Sequence, residues 1–326
     1  MMAELTKTGR AEALRLDKLR MYYETPRGAV KAVDDVSFTL YSRERFGLAG
    51  ESGSGKSSMA LTIMRLIRPP AHVVSGNIWL NGRDLLALPR EEVRELRLAE
   101  LSMVAQGSMN SLNPVMRVRE QFRDAYADHG IKLTRREFEQ RITEILAEVG
   151  LKPNVADMFP HELSGGMKQR VIIAIAICLR PSVIIADEPT SALDVVVQRQ
   201  VMRTLRKVQE DLGASVILVG HDMGLMAQFV ERLGIMYAGR LVEVSPVREI
   251  FRKPRHPYTQ MLISSLPTTE TKGEFRGIPG LPPSLLSMPP GCAFQPRCPF
   301  ATDRCRSEVP ELREVQPESW AACHLA

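Results

Sequence analysis

The chain has 326 residues, 44% hydrophobic and 25% charged, with a formal net charge of +5. That length buries one large core, or a core with an appended module, and the composition is that of a globular protein. The excess positive charge is dispersed, with no block of five or six basic residues, so no nucleic-acid partner is expected.

The opening MMAELTKTGR lacks the apolar stretch of a signal peptide. The longest apolar run, VIIAIAICL at 171–179, lies between Arg170 and Arg180 and falls well short of the about 20 residues a membrane helix needs. The expected location is the cytosol, where thiols stay reduced.

Residues 17–45 carry alternating β-branched and aromatic residues and read as strands. RFGLAG (45–50) is a short apolar strand entering a glycine-rich loop. After the loop, Ala60, Ile63, Met64 and Ile67 mark one helical face, with Arg68-Pro69-Pro70 as the expected stop. NIWLNGRDL (77–85) contains Asn81-Gly82, a hairpin signal. From about 107 to 165 the texture becomes helical. Phe138, Ile142, Ile145, Leu146 and Val149 form a stripe that Gly150 ends. SVIIAD (182–187) and SVILVG (215–220) suit strands buried on both faces of a parallel sheet. The segment between them reads as a helix, which implies an α/β core. IMYAGRLVEV (235–244) reads as a hairpin at Ala238-Gly239. Beyond 253 a proline-rich, loop-rich module is expected.

GESGSGKSS (50–58) fits the pattern G-x-x-x-x-G-K-[ST]. Gly50, Ser52, Gly53 and Gly55 let backbone N–H groups turn inward around phosphate oxygens. Lys56 would reach the β- and γ-phosphates, Ser57 would bind Mg²⁺, and Ser58 continues into a helix whose positive end faces the same anion. In SVIIADEPTSALD (182–194), Asp187 ends a buried strand where a carboxylate can hold the Mg²⁺ shell. Glu188 is placed to polarise a water for attack on a γ-phosphate. In LSGGMKQR (163–170), Ser164, Gly165 and Gly166 open a second helix ready for an anion. Each has a plain structural counterpart: a glycine turn, an acidic pair at a strand end, and a Ser N-cap before a flexible glycine pair.

These motifs, with Gln106 and with His221 in VGHDM, stand in the order and rough spacing of the ATP-binding cassette (ABC) ATPases, which the chain resembles over about residues 15–250. The implied fold is an α/β P-loop NTPase cassette: a mixed, largely parallel sheet core, an antiparallel β subdomain and a helical subdomain inserted at about 107–165. The resemblance implies that two cassettes pair head to tail. The loop at 50–58 of one and Ser164, Gly165 and Gly166 of the other would close on one ATP. It also implies that Tyr23 stacks on adenine, with Tyr22 the neighbour it competes with. Gln106 would touch Mg²⁺ and the attacking water, Asp194 the partner cassette, and His221 the γ-phosphate.

HPYT (256–259) and IPGLPPSLLSMPPGCAFQPRCPFATDRC resemble the C-terminal extension of ATPase subunits of oligopeptide/dipeptide importers, as does QGSMNSLNPV (106–115). The division implied is a cassette at 1–253 and an extension at 254–326. Ala105 and Gly107 depart from the aromatic and acidic residues that usually flank Gln106. Partners implied are a sister cassette, two membrane-spanning permease subunits and an extracytoplasmic substrate-binding protein. The location implied is the cytoplasmic face of the membrane. The function implied is ATP-driven uptake of oligopeptides or dipeptides, with an importer ATPase for nickel or a sugar, or a soluble ABC ATPase in nucleic-acid or translation work, as the alternatives.

Cys292, Cys298, Cys305 and Cys323 crowd the end of the chain. A reduced compartment disfavours a disulfide, and four thiols in a small loop-rich module suggest a metal staple. Their spacing lacks the tight pairs usual for zinc, while Cys298-Pro299 matches a step in some iron–sulfur runs. The family resemblance also implies a [4Fe–4S] cluster. Zinc, with His324 able to replace Cys323, and free thiols stay open. Cys178 reads as a buried core thiol.

Overall fold

A computed structural model of the chain describes residues 10–107, 111–266 and 277–326. Most of the opening decapeptide and residues 108–110 of QGSMNSLNPV therefore lie outside the described residues. The chain divides into two units. The first takes the residues up to Ala13, Tyr41–Glu44 and Ala87–Ile217; the second takes Leu14–Leu40, Arg45–Leu86 and Leu218–Ala326.

In the first unit the strands Leu101–Val104 and Val183–Asp187 run parallel, Leu101 opposite Val183 and Val104 opposite Ala186. All five residues of Val183–Asp187 are buried, as the unbroken apolar run predicts for a strand covered on both faces. The helix Arg135–Glu148 buries Phe138, Ile142, Ile145 and Leu146. Thr134 caps it in a reciprocal box with Glu137, and Gly150, at φ 71°, ends it as expected. The helices Gly165–Ile177 and Val195–Leu212 follow. Gly166 lets them approach, because a Cβ there would stand 2.6 Å from Val197 Cγ1. Cys178 is a buried thiol, as its apolar setting predicts, and burial pushes it up to about 12.

The second unit holds an antiparallel sheet in the order Gly28–Tyr41, Glu12–Thr25, Ala71–Leu80, Arg83–Asp84. Its last hairpin turns at Asn81 (φ 48°) and Gly82 (φ 80°), the two positive φ values the Asn-Gly pair predicts. Arg45–Ala49 runs parallel to Arg232–Tyr237, which turns through Ala238-Gly239 into Arg240–Pro246. One element departs from the sequence reading. The helix after the glycine loop spans only Lys56–Ile63. Arg65 adopts φ 50°, Leu66 N bonds Leu61 O and Arg65 N bonds Thr62 O, a left-handed cap that stops the helix before Arg68-Pro69-Pro70. The loop-rich tail also carries short strands. Its strand Ser319–Ala321 pairs with both Arg240–Pro246 and Arg313–Gln316.

Among the described residues, no helix is long and apolar enough to cross a membrane.

Candidate nucleotide-binding site

The loop 50–58 leaves the strand Arg45–Ala49 and enters the helix Lys56–Ile63, whose N-terminus carries no side-chain cap. Two of its glycines are dictated by close approach. A Cβ on Gly50 would meet Met236 O at 2.2 Å, and one on Gly55 would meet Ala32 O at 2.0 Å. Gly53, at φ 77°, faces open space and serves only the backbone turn. Lys56 is buried, and its Nζ donates to Gly50 O at 2.8 Å, Glu51 O at 2.8 Å and Ser54 Oγ at 3.2 Å. The ammonium thus sits inside the loop, held by neutral acceptors. A positive charge and an uncapped helix N-terminus in a glycine cradle suit a polyphosphate. Ser57 and Ser58 are half-buried, and Ser52 is exposed beside them.

The two candidate tyrosines separate clearly. The Tyr22 hydroxyl donates to Asp34 Oδ1 at 2.6 Å, and burial together with that bond pushes it up to about 12. Burial opposes ionisation of Asp34, but the bonds from Tyr22 and Arg240 outweigh it and hold the carboxyl below its ordinary value. Tyr22 is thereby committed to a structural network. The Tyr23 hydroxyl shares a 3.1 Å hydrogen bond with Ser58 Oγ, in the helix that follows the loop. Of the two, the tyrosine beside the phosphate loop is Tyr23. His221 is exposed and precedes Asp222, which caps the helix Met223–Phe229.

The remaining predicted residues lie in the first unit. The parallel register sets Gln106 and Glu188 two residues beyond the paired Val104 and Ala186. Gln106 Nε2 donates to Glu188 Oε2 at 2.8 Å. Asp187, the last strand residue, is 2% exposed, and Glu188 stands next to it at φ 46°. Ser164 Oγ accepts from Met167 N and caps the helix that Gly165 and Gly166 open. Asp194 Oδ1 accepts from Val196 N and Val197 N, each at 3.0 Å, and caps Val195–Leu212. Both helix starts are exposed at their caps.

The four C-terminal thiols lie within electrostatic reach of one another. Burial pushes Cys292 up to about 11, and the thiols of Cys305, Cys323 and Cys298 add to the rise. Burial also raises Cys298, which Cys305 reinforces, and Cys323, which Cys298 and Cys305 reinforce. None is in a disulfide. Among the described residues, however, no group of three or more His, Cys, Asp or Glu side chains is placed to hold a metal ion. Electrostatic reach is longer than a coordination shell, so the placement lends the expected metal centre no support.

Comparison with known proteins identifies the cassette. Residues 33–191 match the family described as ABC transporter, and residues 242–305 match the oligopeptide/dipeptide transporter, C-terminal region. The chain is 42% identical over 316 residues to the dipeptide transport ATP-binding protein DppD of Escherichia coli (strain K12), covering 95% of this chain and 96% of that one. It is 41% identical over 312 residues to the oligopeptide transport ATP-binding protein OppD of Salmonella typhimurium, covering 95% and 92%. The chain belongs to the ATP-binding proteins of dipeptide and oligopeptide ABC transporters. Among solved structures it is similar to the dimeric ATP-binding cassette MJ0796 in a post-hydrolysis state bound to ADP and Pi, with TM-score 0.64, 28% identity, and coverage of 72% of this chain and 99% of that one. The fold is the ABC cassette fold and the activity is ATP hydrolysis.

Within this ABC ATPase, the segment HPYT has a structural logic that spacing alone did not reveal. Glu243 is 1% exposed, and its two oxygens accept from Arg255 N at 2.8 Å and His256 N at 2.9 Å. Burial raises its carboxyl against those bonds. His256 caps the helix Pro257–Ser264 by accepting from Tyr258 N at 3.0 Å through Nδ1. Tyr258 in turn reaches the phosphate loop, accepting from Glu51 N at 2.9 Å. Glu51 and Tyr258 thereby tie the loop to the C-terminal segment, and a polar residue inside a glycine loop was the signal available for the first.

Proposed function

We propose that the chain is the ATP-hydrolysing subunit of an ABC importer for dipeptides or oligopeptides. The observation that carries this is an alignment at about 40% identity running the length of the chain, through the C-terminal region as well as the cassette. ATP and Mg²⁺ are the cofactors. Lys56 and the N–H groups of 50–58 bind the phosphates, Tyr23 stacks on the base, and Ser57, Asp187 and Gln106 hold Mg²⁺ and the attacking water. Glu188 accepts the water's proton, and His221 bonds the γ-phosphate. Ser164, Gly165 and Gly166 complete the ATP site of a second cassette, with Asp194 at the contact. A sister ATPase, rather than an identical copy, is the partner proposed.

Without a spanning helix among the described residues, import requires separate membrane-spanning subunits and an external binding protein. The cassette then works on the cytoplasmic face. Residues 1–253 form the ATPase and 254–326 the extension. Cys292, Cys298, Cys305 and Cys323 are the donor set for a [4Fe–4S] cluster, with zinc the alternative. What supports a shared role is that the four cysteines lie within electrostatic reach of one another and that none is in a disulfide. A metal group bound there supplies a structural cross-link of the tail.

The test is uptake in cells lacking the gene, complemented with the wild-type chain or with Lys56→Ala. Labelled dipeptides, longer peptides, nickel and a sugar are offered in parallel. Peptide uptake restored only by the wild type supports the reading. Unchanged peptide uptake in the deletion, with loss of nickel or sugar uptake, replaces the solute.

A further inference from the structure

The phosphate loop is held by two side chains of the C-terminal segment, and both converge on Glu51. The Glu51 carboxylate receives a forked pair of bonds from Arg297, Nη1 to Oε2 at 2.8 Å and Nη2 to Oε1 at 3.1 Å. Its N–H donates to the Tyr258 hydroxyl. Its carbonyl accepts from Lys56 Nζ and from Ser54 N. One residue therefore joins the ammonium that faces the phosphates to a guanidinium 246 positions further along the chain.

Arg297 is built into its surroundings. Its side chain is 4% exposed. Besides the fork to Glu51, Nε donates to Pro279 O at 2.8 Å, Nη1 to Tyr237 Oη at 3.3 Å and Nη2 to Ile278 O at 3.2 Å. All five of its N–H donors are thus engaged. The guanidinium also lies over the rings of Tyr237 and Phe294, at 5.8 and 6.0 Å. Tyr237, Tyr258 and Phe294 pack on one another with centroids 4.6 to 5.4 Å apart. The turn that follows Tyr237 touches the loop as well, Gly239 N donating to Ser54 O at 3.0 Å. A lysine could carry the charge but not the planar fork.

We propose that Arg297 is a positioning residue for nucleotide binding. Through Glu51, and with Tyr258 as second anchor, it holds the loop in the shape that accepts phosphates, so the cysteine-bearing segment has a direct hold on ATP affinity. The inference rests on reading 50–58 as the phosphate loop. Released from Arg297, Glu51 no longer fixes the carbonyl that orients Lys56, and the loop samples other shapes. If the accepting shape is then occupied one-tenth of the time, apparent affinity falls about tenfold.

The experiment is a double-mutant cycle on the full-length chain, with ATP binding by calorimetry and ATP hydrolysis read together. Arg297→Ala and Glu51→Gln should each raise the Kd and KM for ATP about tenfold, leaving kcat within about threefold. The double variant should be no worse than the weaker single. Arg297→Lys should recover only part of the loss. A merely structural role would lower the active fraction, and hence kcat, while the folded remainder kept its Kd. Wild-type Kd in the singles, or costs that simply add, overturns the proposal. Should Arg297→Ala not fold, Glu51→Gln and Tyr258→Phe, which barely change volume, carry the test alone, and wild-type affinity in both overturns it. A wild-type chain that binds no ATP would instead sink the phosphate-loop reading itself.

Discussion

Gln106 and Glu188 are joined by a 2.8 Å hydrogen bond, Nε2 to Oε2. The bond follows from strand register, since Val104 faces Ala186 and each chain then continues two residues. A carboxamide that donates to the proposed base keeps its carboxylate oriented without neutralising it. Glu188→Gln retains an oxygen for Gln106 but cannot take a proton. Phosphate release should fall by about 10²–10⁴-fold, the range for loss of a general base, with ATP affinity unchanged in a binding titration. Turnover near the wild-type rate would remove Glu188 from that role.

The glycines of the phosphate loop divide into two classes that substitution should separate. Gly53→Ala meets nothing within 4 Å and strains only a backbone at φ 77°, a cost of about 1–2 kcal/mol. Gly55→Ala has the same kind of strain at φ 102° and drives a Cβ to 2.0 Å from Ala32 O, which only a backbone shift can relieve. Thermal unfolding should show a loss of a few degrees for Gly53→Ala, about 2–4 °C per kcal/mol in a chain this large. Gly55→Ala should lose more than twice that and should also lose ATP binding. Equal shifts in the two variants would contradict the close-approach argument.

Substitution should separate Tyr22, whose hydroxyl holds the fold, from Tyr23, whose ring is proposed to meet the base. Tyr22→Phe breaks the bond to Asp34 and should cost about 1 kcal/mol of stability, with ATP affinity unaltered. Tyr23→Phe keeps the ring and should bind ATP normally despite losing the bond to Ser58. Tyr23→Ala removes the stacking face and should weaken ATP binding by about 1–3 kcal/mol, the range for a base on an aromatic ring. Calorimetric titration of the three variants checks all of this. Wild-type affinity in Tyr23→Ala would remove Tyr23 from the stacking role.

The features legible in the sequence are those whose cause is local. Asn81-Gly82 supplies its own positive φ values, the stripe from Phe138 to Val149 has a helical period, and VIIAD (183–187) has no polar residue to place outward before its last. The short helix Lys56–Ile63 was not legible, because its stop is a left-handed Arg65 whose guanidinium bonds Leu85 O, 20 residues away. The strand Ser319–Ala321 was hidden for the same reason. Three residues carry no periodicity, and the strand exists because Arg240–Pro246 offers an edge. The bond between Arg297 and Glu51 is the extreme case, since nothing near either residue announces the other. Motifs pointed to the nucleotide site and to the chemistry proposed for it. The contacts that hold its loop in place became visible only in three dimensions.

His256 gives the C-terminal segment a defined acid sensitivity. It is 1% exposed, and burial pushes its imidazole from 6.5 down to about 3. The neutral ring is what the fold requires, because Nδ1 must accept from Tyr258 N to cap Pro257–Ser264. Between pH 6.5 and about 3 the unfolded chain binds a proton at this position and the folded chain does not, so stability falls as pH falls through that window. The slope is at most about 1.4 kcal/mol per pH unit. Glu243, whose carboxyl is raised by burial, contributes in the opposite direction, since its folded form takes up a proton first. His256→Asn keeps a capping acceptor, removes the titration and leaves Glu243 in place, so the difference between variant and wild type isolates the histidine. Urea unfolding at pH 7.5 and 4.5 should cost the wild type about 2–3 kcal/mol more than the variant, and parallel pH profiles for the two would show that the ring is protonated in the fold after all.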